Sequence, residues 1–146
     1  MLLAVDCGNT NIVFALYDGD IQRANWRIST ATKRSADEYL VWLTQLMSLK
    51  SLAVDDVTDM IIASVVPKVQ PNLISLASRG FGIVPQVVGG SSIDLGIDIH
   101  IDQPDQAGAD RLVNAVAARD FHDLPAIILD FGTATTFDLI GKGGAY

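Results

Sequence analysis

The chain has 146 residues, 49% apolar and 18% charged, with a formal net charge of -7. That length can bury one good core, or one domain plus part of another, and the composition excludes a disordered chain and suits an α/β domain. The acidic balance leaves no electrostatic footprint for nucleic acid or an anionic membrane, so neither is expected as a partner. Any bound phosphate must be met locally, by backbone N–H groups, a few Arg or Lys side chains and metal ions. No apolar run approaches the length of a membrane span, and residues 1–5 are too short, and lack the basic flank, for a secretory signal. Cys7 is the only cysteine, so no internal disulfide can form and a reducing compartment, the cytoplasm, is expected.

Residues 2–16 read as a β-hairpin: two apolar runs flank a short polar turn, with Asp6 at the exit of the first strand. Gly8 removes the side chain that would keep a ligand off the backbone, and Asn9, Thr10 and Asn11 supply donors and a hydroxyl for an anion in the turn. Cys7 lies in that turn, where a catalytic thiol is conceivable. With no His nearby in sequence, a small buried thiol is the favoured reading.

Tyr17-Asp18-Gly19-Asp20 signals a turn, and residues 21–28 return as a third strand through Trp26, giving an antiparallel meander. Residues 29–34 form a polar linker. Ser35-Ala36-Asp37-Glu38 matches a capping box, with Leu40, Leu43, Leu46, Met47 and Leu49 marking the buried face of the helix it opens. Tyr39 and Trp42 are expected at the edge of the core.

Residues 60–66 form a continuous apolar run that suits a central parallel strand, ended by Pro67. A second helix is expected over residues 68–79, with Pro71 in its first turn and Gly80 and Gly82 breaking it. Residues 83–88 read as another strand and Gly89-Gly90-Ser91-Ser92 as a loop. Residues 93–101 alternate apolar and acidic positions, as a half-exposed strand or an extended loop would. The order β-β-β-α-β-α-β, then a helix and a second hairpin, argues for a mixed sheet flanked by helices.

Gly108-Ala109-Asp110-Arg111 leads into a helix rich in small residues, which puts Asp110 and Arg111 in its first turn, at the positive end of the dipole. Alone, this pair reads as an ordinary acidic first turn beside a solvent-facing Arg. Its place just before a second hairpin, residues 126–140, favours a functional role.

That hairpin repeats the first: an apolar strand ends in Asp130-Phe131-Gly132, hydroxyl residues follow, and an apolar strand leads away. One Asp-x-Gly turn is a weak signal, because such turns occur in many hairpins for structural reasons. Two, each after a buried-looking strand, form a pattern able to hold the two ends of a polyphosphate across a cleft. They imply a duplicated architecture, with a first domain over residues 1–120 and the start of a second over 121–146. No Walker-type phosphate loop occurs.

Asp6-x-Gly8-Asn9-Thr10-Asn11, Gly108-Ala109-Asp110-Arg111 and Asp130-x-Gly132-Thr133-Ala134-Thr135-Thr136 resemble, in order and spacing, the motifs of type III pantothenate kinases. Trp26-Arg27-Ile28-Ser29-Thr30, Ala36-Asp37-Glu38-Tyr39 and Ser64-Val65-Val66-Pro67 look similar too, so the resemblance runs the length of the chain. It implies a ribonuclease H-like, actin-like ATPase fold of the acetate-kinase, sugar-kinase, Hsp70 and actin superfamily. It also implies ATP-dependent phosphorylation of pantothenate, the first step of coenzyme A synthesis.

By that resemblance Asp6 holds Mg²⁺ through water, and Gly8, Asn9, Thr10 and Asn11 hold phosphate together with Gly132, Thr133, Thr135 and Thr136. Asp110 is the general base toward the primary hydroxyl of pantothenate. Gly108, Ala109 and Arg111 contact that substrate, and Asp130 binds the monovalent cation, K⁺ or NH₄⁺. The family is dimeric, so a homodimer is expected at full length. Phosphoryl transfer needs charge neutralisation and in-line positioning more than covalent chemistry, so these side chains suffice for it.

Two departures stand out. The family commonly has Tyr-x-Asn-Pro where this chain has Ile101-Asp102-Gln103-Pro104, which removes an aromatic contact or moves it elsewhere. Family members also continue well beyond the second hairpin, so the chain is expected to be an N-terminal fragment, inactive alone. A hairpin without further strands would expose apolar side chains and open edges. The alternatives are a non-enzymatic binding or regulatory module of the same fold, or a superfamily kinase acting on another small-molecule alcohol.

Overall fold

The computed structural model describes residues 1–89 and 93–146; the loop expected at Gly90, Ser91 and Ser92 lies outside them. The chain divides into two compact units, Met1–Val87 and Val88–Tyr146.

The first unit is built on a five-stranded mixed sheet in the order β3-β2-β1-β4-β5. Its strands are β1 (Leu2–Cys7), β2 (Asn11–Asp18), β3 (Ile21–Ser29), β4 (Asp59–Ser64) and β5 (Gln86–Val87). β1 lies at the centre, antiparallel to β2 and parallel to β4. The period of two decides the faces: Leu3, Val5 and Cys7 of β1 and Ile12, Phe14 and Leu16 of β2 are buried, while Asp6, on the other face, is exposed. The β2–β3 turn closes at Gly19 with φ +57, a conformation that favours glycine.

Two helices cover the buried face, α1 (Ala36–Ser48) and α2 (Gln70–Ser75). The capping box at Ser35 forms: its hydroxyl accepts the Glu38 N–H, and the Glu38 carboxylate accepts the Ser35 N–H at 2.7 Å. Ala36, Tyr39, Leu43 and Met47 make the buried stripe. Leu40 and Leu46 are half-buried. Leu49 is 81% exposed, because the last helical residue is Ser48 and Leu49 is only its cap. Tyr39 is fully buried, inside the core rather than at its edge, with its ring centroid 6.2 Å from that of Phe14.

The expected second helix is shorter than residues 68–79 and changes character. After α2 the backbone widens into a π-turn over Leu76–Gly80. There it lies so close to α1 that a Cβ on Gly80 would sit 2.8 Å from Leu40 Cδ1. The strand expected over residues 83–88 shrinks to Gln86–Val87, at the sheet edge, where only Ile61 and Ile62 pair with it.

The second unit holds α3 (Ala109–Phe121) and a two-stranded antiparallel ribbon, β6 (Ala126–Phe131) and β7 (Thr135–Ile140). Residues 93–101 form no strand; they run as an extended segment in which Ile93, Leu95, Ile97 and Ile99 are half-buried and their neighbours exposed. The ribbon packs one face on α3. On its other face Ile127, Leu129, Phe131, Phe137 and Leu139 are all exposed. No helix among the described residues is long and apolar enough to cross a membrane.

Candidate functional site

The candidate residues fall in both units, and each set has its own local construction. In the first unit, Asp6 is carried by the central strand, paired with Val13 on one side and Ala63 on the other. The turn after it is closed by the Gly8 N–H donating to the Asn11 carbonyl at 3.0 Å. Thr30 staples this turn: its hydroxyl donates to the Gly8 carbonyl at 2.7 Å and its N–H to the Thr10 carbonyl at 2.9 Å. Sequence reasoning gave Thr30 no role. Its signal was the polar residue closing the Trp26–Thr30 run, just beyond the end of β3.

Gly8 does not have a left-handed φ, and a Cβ there would meet nothing nearer than the Asn11 carbonyl at 3.4 Å. The turn itself therefore does not demand glycine, whereas close approach of a ligand to the backbone would. Gly132 repeats the pattern in the second unit. Its N–H donates to the Ala134 carbonyl at 3.1 Å, and a Cβ would meet nothing nearer than 3.6 Å. Both glycine N–H groups are thus already used within their turns, so an anion would have to be met by the residues around them.

Cys7 is buried beside Ser64. Burial pushes its thiol up, the Ser64 hydrogen bond opposes this, and the Asp6 carboxylate adds to it. That is a structural thiol rather than a nucleophile.

In the second unit, Gly108 precedes α3, Ala109 is buried, and Asp110 is half-buried in the first turn. The Asp110 carboxylate accepts the Arg111 N–H at 2.8 Å. The Arg111 side chain turns to Asp138 on β7, donating from Nε to Oδ1 at 2.6 Å and from Nη2 to the same oxygen. The Tyr146 hydroxyl also donates to Oδ1, at 2.8 Å, and the guanidinium lies 5.7 Å from the Tyr146 ring centroid. Asp138 is 2% exposed, and its Oδ2 has no partner among the described residues. The hydrogen bond to Asp138 raises the Arg111 pKa. Burial, and then the bond to Asp138, push the Tyr146 hydroxyl up to about 12, so it remains a donor.

A cavity of about 370 Å³ opens beside this cluster, lined by His100, Ile101, Arg111, Phe137 and Tyr146 among others. Ile101, where the family commonly has Tyr, thus borders the same space as Arg111, and the aromatic lining comes from Phe137 and Tyr146. Sequence reasoning gave Asp138 and Tyr146 no role. The signal for Asp138 was a carboxylate at an inward position of a strand, in register with Thr136 and Ile140.

Asp130 and Thr136 are directly opposed across the ribbon, on the Asp138 face, while Thr135 pairs with Phe131 on the other. Thr133 lies in the exposed turn. A second cavity, of about 400 Å³, is lined by Asn114, His122, Ile128 and Asp130. The carboxylate and amide oxygens of Asp130 and Asn114 are hard donors suited to an alkali cation. Among the described residues no three His, Cys, Asp or Glu side chains gather for a metal. The exposed carboxylate of Asp6 is of the kind that suits a Mg²⁺ keeping most of its waters.

A five-stranded mixed sheet with flanking helices, whose central first strand carries Asp6 one residue before its end, is consistent with an actin-like ATPase domain. The family model for type III pantothenate kinase matches residues 2–146, and the chain belongs to that family. It is 54% identical over its whole length to the type III pantothenate kinase of Paramagnetospirillum magneticum, covering 56% of that protein. It is 55% identical to that of Rhodospirillum rubrum, covering 57%, and 50% identical to that of Zymomonas mobilis, covering 53%. The chain thus spans a little over half the length of these curated relatives.

Proposed function

We propose that the native-length protein transfers the γ-phosphoryl group of ATP to the primary hydroxyl of pantothenate. The observation that carries this reading is the first turn of α3, where a half-buried Asp110 stands beside an Arg111 held by a buried acid. Asp110 takes the hydroxyl proton as the oxygen attacks the γ-phosphorus and the bond to the β–γ bridging oxygen breaks, releasing ADP. In a loose transition state the proton leaves late, so an ordinary carboxylate serves. Arg111 orients the acceptor.

In this reading Asp6, Asn9, Thr10 and Asn11 meet phosphate in one turn, and Thr133, Thr135 and Thr136 in the other, with Gly8 and Gly132 allowing close approach. Asp6 would hold Mg²⁺, which when bound would supply charge neutralisation on the phosphates. Asp130, with Asn114 beside it, would hold K⁺ or NH₄⁺. The reading extends to a cytoplasmic homodimer that uses no nucleic acid or membrane partner, and to a 146-residue chain that does not turn over alone.

The test is ADP release from ATP, Mg²⁺, K⁺ and pantothenate by the native-length protein, beside the 146-residue chain and an Asp110→Asn variant. Turnover by the long protein, lost in the variant and dependent on K⁺, is the expected result. Turnover with another alcohol but not pantothenate would remove the substrate assignment, and activity in Asp110→Asn would remove the base.

A further inference from the structure

We infer that Asp138 and Tyr146 are positioning residues for Arg111, fixing its guanidinium so that the Nη1 edge is the one turned to the acceptor. The inference rests on the reading of Arg111 as an acceptor contact and assigns roles to two residues outside the three motifs.

Asp138 is the one charged side chain in the buried class among the described residues. A buried carboxylate is costly unless its partners are close, so its presence on an inward strand position needs a reason beyond packing. The reason is at hand in its contacts. Oδ1 receives Nε and Nη2 of Arg111 and the hydroxyl of Tyr146. Nη2 also reaches toward the Phe137 carbonyl, at 3.5 Å.

These bonds occupy one edge of the guanidinium, and its central carbon lies over the Tyr146 ring, 5.7 Å from the centroid. Nη1 makes no hydrogen bond among the described residues, and the Arg111 side chain is 38% exposed. A free arginine samples many rotamers; this one is restrained along one edge and packed against an aromatic ring, with its remaining donors left for a ligand. The backbone N–H of Arg111 separately donates to the Asp110 carboxylate, so the clamped guanidinium and the base are carried by adjacent residues of one helical turn.

The test uses the native-length protein with Asp138→Asn, which keeps the shape and removes the charge, and Tyr146→Phe, which keeps the ring and removes the donor. The KM for pantothenate is expected to rise about tenfold in Asp138→Asn, the effect of losing one charge-assisted hydrogen bond, with the KM for ATP unchanged. Tyr146→Phe should give a smaller rise of the same kind. In an Arg111→Lys background, Asp138→Asn should add nothing further. Equal effects on both substrates, or the full loss again in the Lys background, would make Asp138 a merely structural residue and overturn the inference.

A second readout needs no turnover. The Arg111 Nε–H resonance should exchange slowly with solvent in the parent protein and quickly in Asp138→Asn. Unchanged exchange would overturn the clamp. If the parent protein shows that protection but does not phosphorylate pantothenate, the clamp stands and the substrate assignment falls.

Discussion

Arg111 and Asp138, 27 positions apart, meet through a 2.6 Å hydrogen bond from Nε to a carboxylate that is 2% exposed. The pair is asymmetric: the acid is inside and the base is partly in water. Removing the base strands a buried charge, whereas removing the acid frees an arginine that water can solvate.

Arg111→Ala should therefore destabilise the protein by about 1–3 kcal/mol, below the range for a fully buried pair because the guanidinium is partly solvated. Adding Asp138→Asn to Arg111→Ala should recover part of that loss. Urea unfolding of the parent, both single variants and the double variant measures it. A double variant less stable than Arg111→Ala would mean that Asp138 contributes through some other contact.

Gly8→Ala and Gly132→Ala should fold nearly as well as the parent, since neither glycine has a left-handed φ and neither new Cβ meets an atom closer than 3.4 Å. If the proposed phosphate contacts hold, the KM for ATP should nevertheless rise in both, because a methyl group there would keep a phosphate off the backbone. Thermal unfolding beside nucleotide titration separates the two effects. A loss of stability without loss of nucleotide affinity would make these turn glycines structural.

Alkaline pH should weaken the second unit through Tyr146. Its folded pKa of about 12 lies above the usual value near 10, so its contribution is complete below pH 10 and is lost as pH rises toward 12. In that window the unfolded chain has released a proton that the folded one keeps, at about 1.4 kcal/mol per pH unit. Tyr39 and Cys7, also raised by burial, act in the same direction. The difference between parent and Tyr146→Phe across pH 9 to 12 isolates the one hydroxyl; parallel curves would refute it.

Cys7 should resist thiol reagents in the folded protein and react only on unfolding, because it is fully buried and its thiol is pushed up. Labelling at pH 8 with and without denaturant decides this. Rapid native labelling would reopen the question of a reactive thiol in the Asp6 turn.

The first hairpin, the capping box at Ser35 and the start of α3 were legible because each is a local pattern: alternation, a four-residue cap, a glycine before an acidic turn. The path after α2 was not, because Gly80 is dictated by Leu40, a neighbour forty positions back. Residues 83–88 are apolar enough for a strand, yet only Gln86 and Val87 lie against β4, and where a segment meets its partner strand is not written in its own residues. Tyr39 reads as amphipathic from its hydroxyl, while its ring is claimed by Phe14. Asp138 was hidden for the opposite reason. Its neighbours in sequence describe an ordinary hairpin, and only the packing of α3 on the ribbon reveals what the carboxylate holds.

The central position of β1 has a consequence for the order of assembly. β1, β2 and β3 join through short turns, so the meander bearing Asp6 can close on itself early. The second neighbour of β1 arrives from far along the chain, with Leu2 opposite Asp59 and Asp6 opposite Ala63. Closing that long loop costs entropy before any contact repays it. The strand that presents the carboxylate thus depends on the slowest pairing in its sheet, and substitutions at Met60 or Ile62 would be felt at Asp6 as delayed folding.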